Sequence, residues 1–262
     1  MIKAIFFDVD GTLISFTTHK MPESTKKALF TLKEKGIKLF VATGRPKIDI
    51  EKVQELVEFP FDGYISTNGQ FCYDDKKQEI YKKFIDKESV KTILNFLKKR
   101  DLACHVITEN EVFVTKYNDK VYDLFKLVGY EENLLAKPEE YCFDKEVFQL
   151  CPYISEEEEI ELMKHVENCE NFRWCDLFVD VIPKNGGKAI GIKKICDYYS
   201  IKPEETMAFG DGGNDIDMLK FVQIGVAMGN AGDNVKEKAD YVTSHVDEDG
   251  IFNALNYFNL LS

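Results

Sequence analysis

The chain has 262 residues, 44% of them hydrophobic, enough to fill one large α/β unit or two smaller cores. Its 46 acidic residues against 34 lysines and arginines give a formal net charge of -12. That balance disfavours a nucleic-acid or anionic-membrane surface, where a basic footprint is the usual requirement, yet it leaves a phosphorylated substrate open, because one metal ion and one lysine set the local field.

An apolar strand over residues 2–8 runs directly into Asp8-Val9-Asp10-Gly11-Thr12. Asp8 and Asp10 face the same side if the strand persists, and like charges that close are relieved by a cation or a shared proton. A helix over 22–35, with Ala28, Leu29 and Leu32 on one face, ends at Gly36, and a second strand follows at 37–42. Next come Thr43-Gly44-Arg45, a helix over 49–56, a short strand at 63–66, the turn Thr67-Asn68-Gly69 and hairpin material from 70 to 84. Short buried strands alternating with helices read as a parallel sheet covered on both faces.

The middle changes character. A helix over 87–100 leads to strands at 104–108 and 112–115, a helical stretch at 117–127 and a loop through Pro138. A strand at 146–151, a helix over 155–167 and strands at 171–175 and 177–182 complete a second α/β domain, residues 85–184, with more hairpin pairing than the first. Alternation then resumes: helix 187–199, strand 206–210, helix 214–220, strand 222–227, helix 232–237 and strand 240–242. Segments 1–84 and 185–262 are therefore expected to share one discontinuous core, with 85–184 inserted between them.

In an open parallel sheet the ligand crevice lies at the carboxyl ends of the strands. Four polar clusters fall at such ends: Asp8-Val9-Asp10, Thr43-Gly44-Arg45, Ser66-Thr67-Asn68-Gly69, and Gly210-Asp211-Gly212-Gly213-Asn214-Asp215. Asp8, Asp10 and Asp211, with Asp215 nearby, supply the oxygen donors that an octahedral magnesium ion prefers. The spacing of a calcium loop, with its glutamate at position twelve, is missing. Thr43, Gly44 and Arg45 offer a hydroxyl, backbone amides and a guanidinium to an anion, although a capping turn and a carboxylate partner for Arg45 would also explain them. Lys188 stands at the start of a helix, against the dipole, where a bound anion or nearby carboxylate accounts for it better than local stability does. Asn68 lies on the core side of the crevice, but an Asn-Gly turn explains it almost as well.

The histidines at 19, 105, 165 and 245 lie away from these clusters, and no Gly-x-Ser-x-Gly elbow is present. A carboxylate is left as the well-placed nucleophile. The seven cysteines are odd in number and form no CxxC pair, so they are read as reduced thiols in a cytoplasmic protein without a structural zinc. No signal-like segment or bilayer-length apolar span is read from the start of the chain, and no membrane contact is expected.

With DxDGT at Asp8 to Thr12, Thr43-Gly44-Arg45-Pro46, Asn68-Gly69, Lys188, and the run from Gly210 to Asp215 followed by Met218-Leu219 and Val226-Ala227-Met228-Gly229-Asn230-Ala231, the chain resembles a haloacid dehalogenase superfamily phosphatase. Within that superfamily it is similar to the Cof-like sugar-phosphate phosphatases. The resemblance implies a Rossmann-like parallel-sheet core carrying an inserted α/β cap of the C2B type. It implies that Asp8 attacks phosphorus and that Asp10 protonates the leaving alcohol and then activates water. Asp8, the Asp10 backbone carbonyl and Asp211 would ligate Mg2+, with Asp215 anchoring that site and Lys188. Thr43 and its neighbouring backbone would hold the phosphoryl oxygens, Lys188 would offset charge, and Asn214 would orient its loop or touch phosphate.

The substrate expected from this resemblance is a small phosphorylated metabolite such as a hexose phosphate. A phosphomutase sharing the phospho-aspartate is the nearest alternative, and a catalytically silent metal-dependent binding protein is the next. Specificity is expected in cap residues, with Arg173, Trp174, Asp176, Asp180 and Asn185 as candidates, although sheet surface or core edge is the readier reading of each. The protein is expected to be a monomer.

Overall fold

The structure, a computed structural model, describes residues 1–128 and 134–262. The first stretch of chain carries β1 (Ala4–Phe7), α1 (Glu23–Glu34), β2 (Lys38–Ala42), α2 (Lys47–Val57), β3 (Gly63–Ser66), β4 (Phe71–Asp74) and β5 (Glu79–Lys82). The middle carries α3 (Lys87–Lys99), β6 (Cys104–Thr108), β7 (Val112–Val114), α4 (Asp119–Val128), β8 (Val147–Pro152), α5 (Glu156–Met163), β9 (Cys169–Cys175) and β10 (Phe178–Pro183). The last stretch carries α6 (Gly187–Tyr199), β11 (Thr206–Gly210), α7 (Ile216–Phe221), β12 (Ile224–Ala227), α8 (Asp233–Lys236), β13 (Tyr241–Val242) and α9 (Gly250–Tyr257). Contacts divide the chain into two units, Met1–Lys82 with Gly187–Ser262, and Lys83–Gly186.

The first unit is an α/β core around an eight-stranded sheet in the order β13-β12-β11-β1-β2-β3-β4-β5. The strands from β13 to β3 run parallel, and β4 and β5 extend the edge as an antiparallel hairpin. All four residues of β1 are buried, as a strand covered on both faces requires. On one face Phe6 stacks on Phe40 at 5.0 Å, and Ile192, Ile195, Met218 and Leu219 from α6 and α7 join the same cluster. Phe7, the next residue along and so on the other face, stacks on Phe209 at 5.2 Å. Because β1 pairs with β2 on one side and β11 on the other, the ends of β11, β1, β2 and β3 lie side by side.

The second unit has a fully antiparallel five-stranded sheet, β7-β6-β8-β10-β9. Helix α3 starts at Asp86, whose carboxylate accepts from the Ser89 amide at 2.9 Å, and it packs Val90, Ile93, Leu94 and Leu97 with Val106, Leu150 and Val181 of the sheet. Ser155 and Glu158 form a reciprocal capping box at the start of α5.

Three local expectations differ from the structure. Helix 155–167 stops at Met163, because β9 already begins at Cys169 and needs the intervening residues for its turn. The stretch 214–220 splits into a 3₁₀ turn, Gly213–Asp215, and the short α7, since the Asp215 carboxylate bends back onto the Asp211 and Gly212 amides. The Asn68-Gly69 element is not a two-residue turn. Ser66 pairs with Phe71, leaving four residues in the connection, and Thr67, Asn68 and Gly69 all take positive φ, at 48°, 50° and 91°. The Thr67 and Asn68 amides donate to the Arg45 and Thr43 carbonyls, each at 3.0 Å, which fastens this turn to the end of β2.

Within the second unit, His105 is buried beside Tyr153 and Phe125, with its Nδ1 2.6 Å from the Tyr153 hydroxyl. Burial pushes this imidazole from 6.5 down to about 4. The unfolded chain therefore takes up a proton below its ordinary value while the folded chain resists, so the contribution of neutral His105 is lost as pH falls from 6.5 through 4. In His105→Gln, melting temperature should decline less steeply across that window than in the wild type, and an unchanged slope would contradict this account.

Candidate active site

Lys188 is the second residue of α6, with its side chain wholly buried. Its ammonium donates to Asp8 Oδ1 and to Asp215 Oδ1, each at 2.6 Å. An uncompensated lysine at a helix start would be unfavourable, and these two carboxylates are its compensation. Asp215 is equally constrained, because its Oδ2 accepts from the backbone amides of Asp211 at 3.0 Å and Gly212 at 2.9 Å. Asp211 takes a hydrogen bond from Thr12 Oγ1 on its Oδ1 at 3.0 Å and one from Asn230 Nδ2 on its Oδ2 at 3.2 Å.

Asp8, Asp211 and Asp215 each offer an oxygen within 4.8 Å of the others. Three carboxylates around one ammonium leave two negative charges in excess. Burial, then Asp215, push the Asp8 carboxyl up from 3.8 to about 7, even though Lys188 pulls it down. Burial, then Asp8 and Asp215, likewise hold Asp211 well above the usual carboxylate range. For Lys188, burial works against the charge, but Asp215 and Asp8 outweigh it and push the ammonium upward. A hard divalent cation fits this donor set: every ligand atom is an oxygen, and its charge matches the excess. The cluster of Asp8, Asp211 and Asp215 is thus compatible with a divalent metal such as Mg2+.

The side chain of Asp10 is outside that group. Both its oxygens accept from Arg45, Oδ2 from Nε at 2.8 Å and Oδ1 from Nη2 at 2.6 Å, so any part of Asp10 in ion binding rests with its backbone. Arg45 therefore meets a carboxylate, one of the two roles open to it from sequence. Thr43 is buried, and its Oγ1 accepts from the Arg45 amide at 3.1 Å, leaving the hydroxyl proton to donate elsewhere. Asn214 donates to Asn68 Oδ1 at 2.9 Å, and a Cβ on Gly44 would sit 3.2 Å from the Asn68 amide nitrogen. Asn68 thus links the loops after β2, β3 and β11.

Two further residues touch the site. Thr12 lies inside the DxDGT run, so its position was visible but its bond to Asp211, 199 residues away, was not. Asn230 was visible in Gly229-Asn230-Ala231 without a partner to give it meaning. Among the cap candidates, Arg173 closes an ion pair with Glu159 at 2.6 Å, and Asp180 is buried and accepts from Gln149 at 2.8 Å. Asp176 and Asn185 are exposed, the latter at φ 56°. The side chain of Trp174 lies outside the described residues.

The family model for haloacid dehalogenase-like hydrolases matches residues 5–255. YkrA of Bacillus subtilis, to which a phosphatase role is ascribed, is 35% identical over 261 residues, covering 99% of this chain and 98% of its own. The 5-amino-6-(5-phospho-D-ribitylamino)uracil phosphatase YitU of the same organism is 28% identical over 273 residues, covering 98% of this chain and 97% of its own. Among solved structures, the HAD subclass IIB sugar phosphatase BT4131 superposes with a TM-score of 0.92 at 42% identity, covering 98% of this chain and 99% of that one. No helix among the described residues is long and apolar enough to cross a membrane.

Two outcomes follow from these electrostatics. Without metal, the folded chain holds a proton on Asp8 between pH 3.8 and about 7 that the unfolded chain has lost, so this group's stability contribution falls as pH rises through about 7. Asp8→Asn, which mimics the protonated form, should melt above the wild type at pH 8, and the gap should narrow toward pH 5. A gap that widens on acidification would refute the assignment. Lys188→Met leaves two buried carboxylates without their counter-ion and should cost about 3–5 kcal/mol in denaturant unfolding at neutral pH.

Proposed function

The chain belongs to the haloacid dehalogenase-like hydrolases and is a phosphatase of that family; we propose that it is a Mg2+-dependent phosphomonoesterase for small phosphorylated metabolites, sugar phosphates foremost, working through an aspartyl-phosphate on Asp8. The observation that carries this reading is the buried Lys188 bridging Asp8 and Asp215 beside Asp211. Support for the substrate class comes from the sugar phosphatase BT4131 and from YitU, whose named substrate carries its phosphate on a ribityl chain. A phosphate ester on a polyhydroxylated carbon chain is common to both.

In this reading Lys188 grips Asp8 Oδ1 and thereby presents the second oxygen to phosphorus. That oxygen forms a bond to phosphorus as the ester P–O bond breaks, and Asp10 gives its proton to the departing alkoxide. In the second step Asp10 takes a proton from water, the water oxygen bonds to phosphorus, and the P–O bond to Asp8 breaks to release inorganic phosphate. Asp10 can carry that proton only after Arg45 releases at least one of its two oxygens. An incoming phosphate dianion is a natural competitor for the guanidinium, since it too is bound bidentately. The Thr43 hydroxyl, the Gly44 backbone and Asn214, oriented by Asn68, would hold the remaining phosphoryl oxygens. A divalent cation held by Asp8 and Asp211 would supply charge stabilisation to the reaction.

The test is a phosphate-release screen over hexose, pentose and polyol phosphates, first with Mg2+ and then with chelator. Release should require Mg2+ and no added bisphosphate, and Asp8→Asn should lower it by on the order of a thousandfold or more. Dependence on a bisphosphate would favour a phosphomutase, and undiminished release by Asp8→Asn would remove the nucleophile from this account.

A further inference from the structure

Lys188 bonds two of the three clustered carboxylates, Asp8 and Asp215, and Asp211 is held by other means. Its Oδ1 is fixed by Thr12 and its Oδ2 by Asn230, which come from opposite ends of the sequence. Asn230 follows β12, and its Nδ2 donates both to the Gly11 carbonyl at 2.8 Å and to Asp211 Oδ2 at 3.2 Å. Its Oδ1 accepts from the Val246 amide at 3.0 Å, so the amide orientation is fixed by three partners.

The surroundings leave this side chain little freedom. Gly11 has φ 85°, and a Cβ there would lie 2.2 Å from Asp211 Oδ2, so the loop after β1 rests its backbone against the carboxylate that Asn230 also holds. The preceding Gly229 donates its amide to the Ser244 carbonyl at 2.9 Å, and a Cβ at 229 would fall 2.4 Å from the His245 nitrogen. Asn230 therefore springs from a braced backbone and spans to the loops after β1, β11 and β13. A carboxylate crowded by two like charges is repelled from the geometry that a shared ion needs, and a fixed donor on its oxygen opposes that repulsion.

We propose that Asn230 is a positioning residue for the cation site: it fastens the loop after β1 to Asp211 and holds that carboxylate ready as a ligand, so that Mg2+ affinity depends on it. This rests on the reading of the aspartate cluster as a Mg2+ site. Asn230 acts through Asp211 and need not touch the ion.

The experiment is calorimetric titration of the full chain with MgCl2 alone, without substrate, paired with melting curves taken with and without Mg2+. In Asn230→Ala the dissociation constant for Mg2+ should rise about tenfold or more, and the rise in melting temperature given by Mg2+ should shrink. Asn230→Ser keeps a polar side chain but is too short to reach Asp211, and it should behave alike if the alanine chain proves too unstable to titrate. Thr243→Val removes a buried hydrogen bond to the Gly250 carbonyl on the neighbouring strand's exit, and it should lower melting temperature while leaving Mg2+ affinity unchanged. Wild-type affinity in both Asn230 variants, or an equal loss in Thr243→Val, would overturn the proposal while leaving the Mg2+ site intact. A wild-type chain that takes up no Mg2+ would overturn the site itself.

Discussion

A single buried ammonium joins three elements of this protein that are far apart in sequence. Lys188 enters from the start of α6 and binds the aspartate that ends β1 and the aspartate that precedes α7, at 2.6 Å each. Buried charges persist only when paired, and here the pairing is incomplete by design of the residue set: three carboxylates share one lysine. Burial and then the residual negative charge raise Asp8 and Asp211, and that excess suits the cluster to a divalent ion. Without Lys188 the aspartates would repel one another outright; with a second lysine only one negative charge would be left for a metal to balance.

Around that centre, the loops are held in layers. Asp215 spends its second oxygen on the amides of its own loop, Asp211 is held by Thr12 and Asn230, and Asn214 is linked through Asn68 to the end of β2. The turn that presents Asn68 places Thr67 and Asn68 in the left-handed region, where a β-branched residue is rarely found. Backbone bonds to the Arg45 and Thr43 carbonyls compensate this strain and tie the turn to the loop after β2. Arg45 and Asp10 meanwhile neutralise each other beside the excess charge, which keeps the Asp10 side chain apart from the clustered carboxylates.

Much of this was legible beforehand because strand ends announce themselves. Buried parallel strands such as Ile5 to Phe7 and Thr206 to Gly210 stop abruptly at polar residues, and the crevice rule then gathers those residues at one edge. The family resemblance assigned roles to Asp8, Asp10, Lys188 and Asp211 that spacing alone could not. Three things were hidden. The partner of Arg45 depended on side-chain reach between adjacent loops, and the turn at Thr67 to Gly69 depended on the register of β3 with β4. Asn230 stood in a visible motif without a role, because what gives it one is contact with Gly11, 219 residues earlier.

The pairing of β1 with β11 has a consequence for how the molecule comes into being. Ala4 lies opposite Thr206, and Phe7 opposite Phe209, so all of the sequence through β11 must leave the ribosome before the strand leading to Asp8 gains its second neighbour. The intervening unit has its own sheet and apolar centre and can fold as it emerges. During that interval β1, wholly apolar, is an open edge of the kind that invites wrong pairing, and closing so long a loop is entropically slow. The arrangement that brings Asp8 beside Asp211 therefore makes the acidic cluster a late acquisition of the nascent chain.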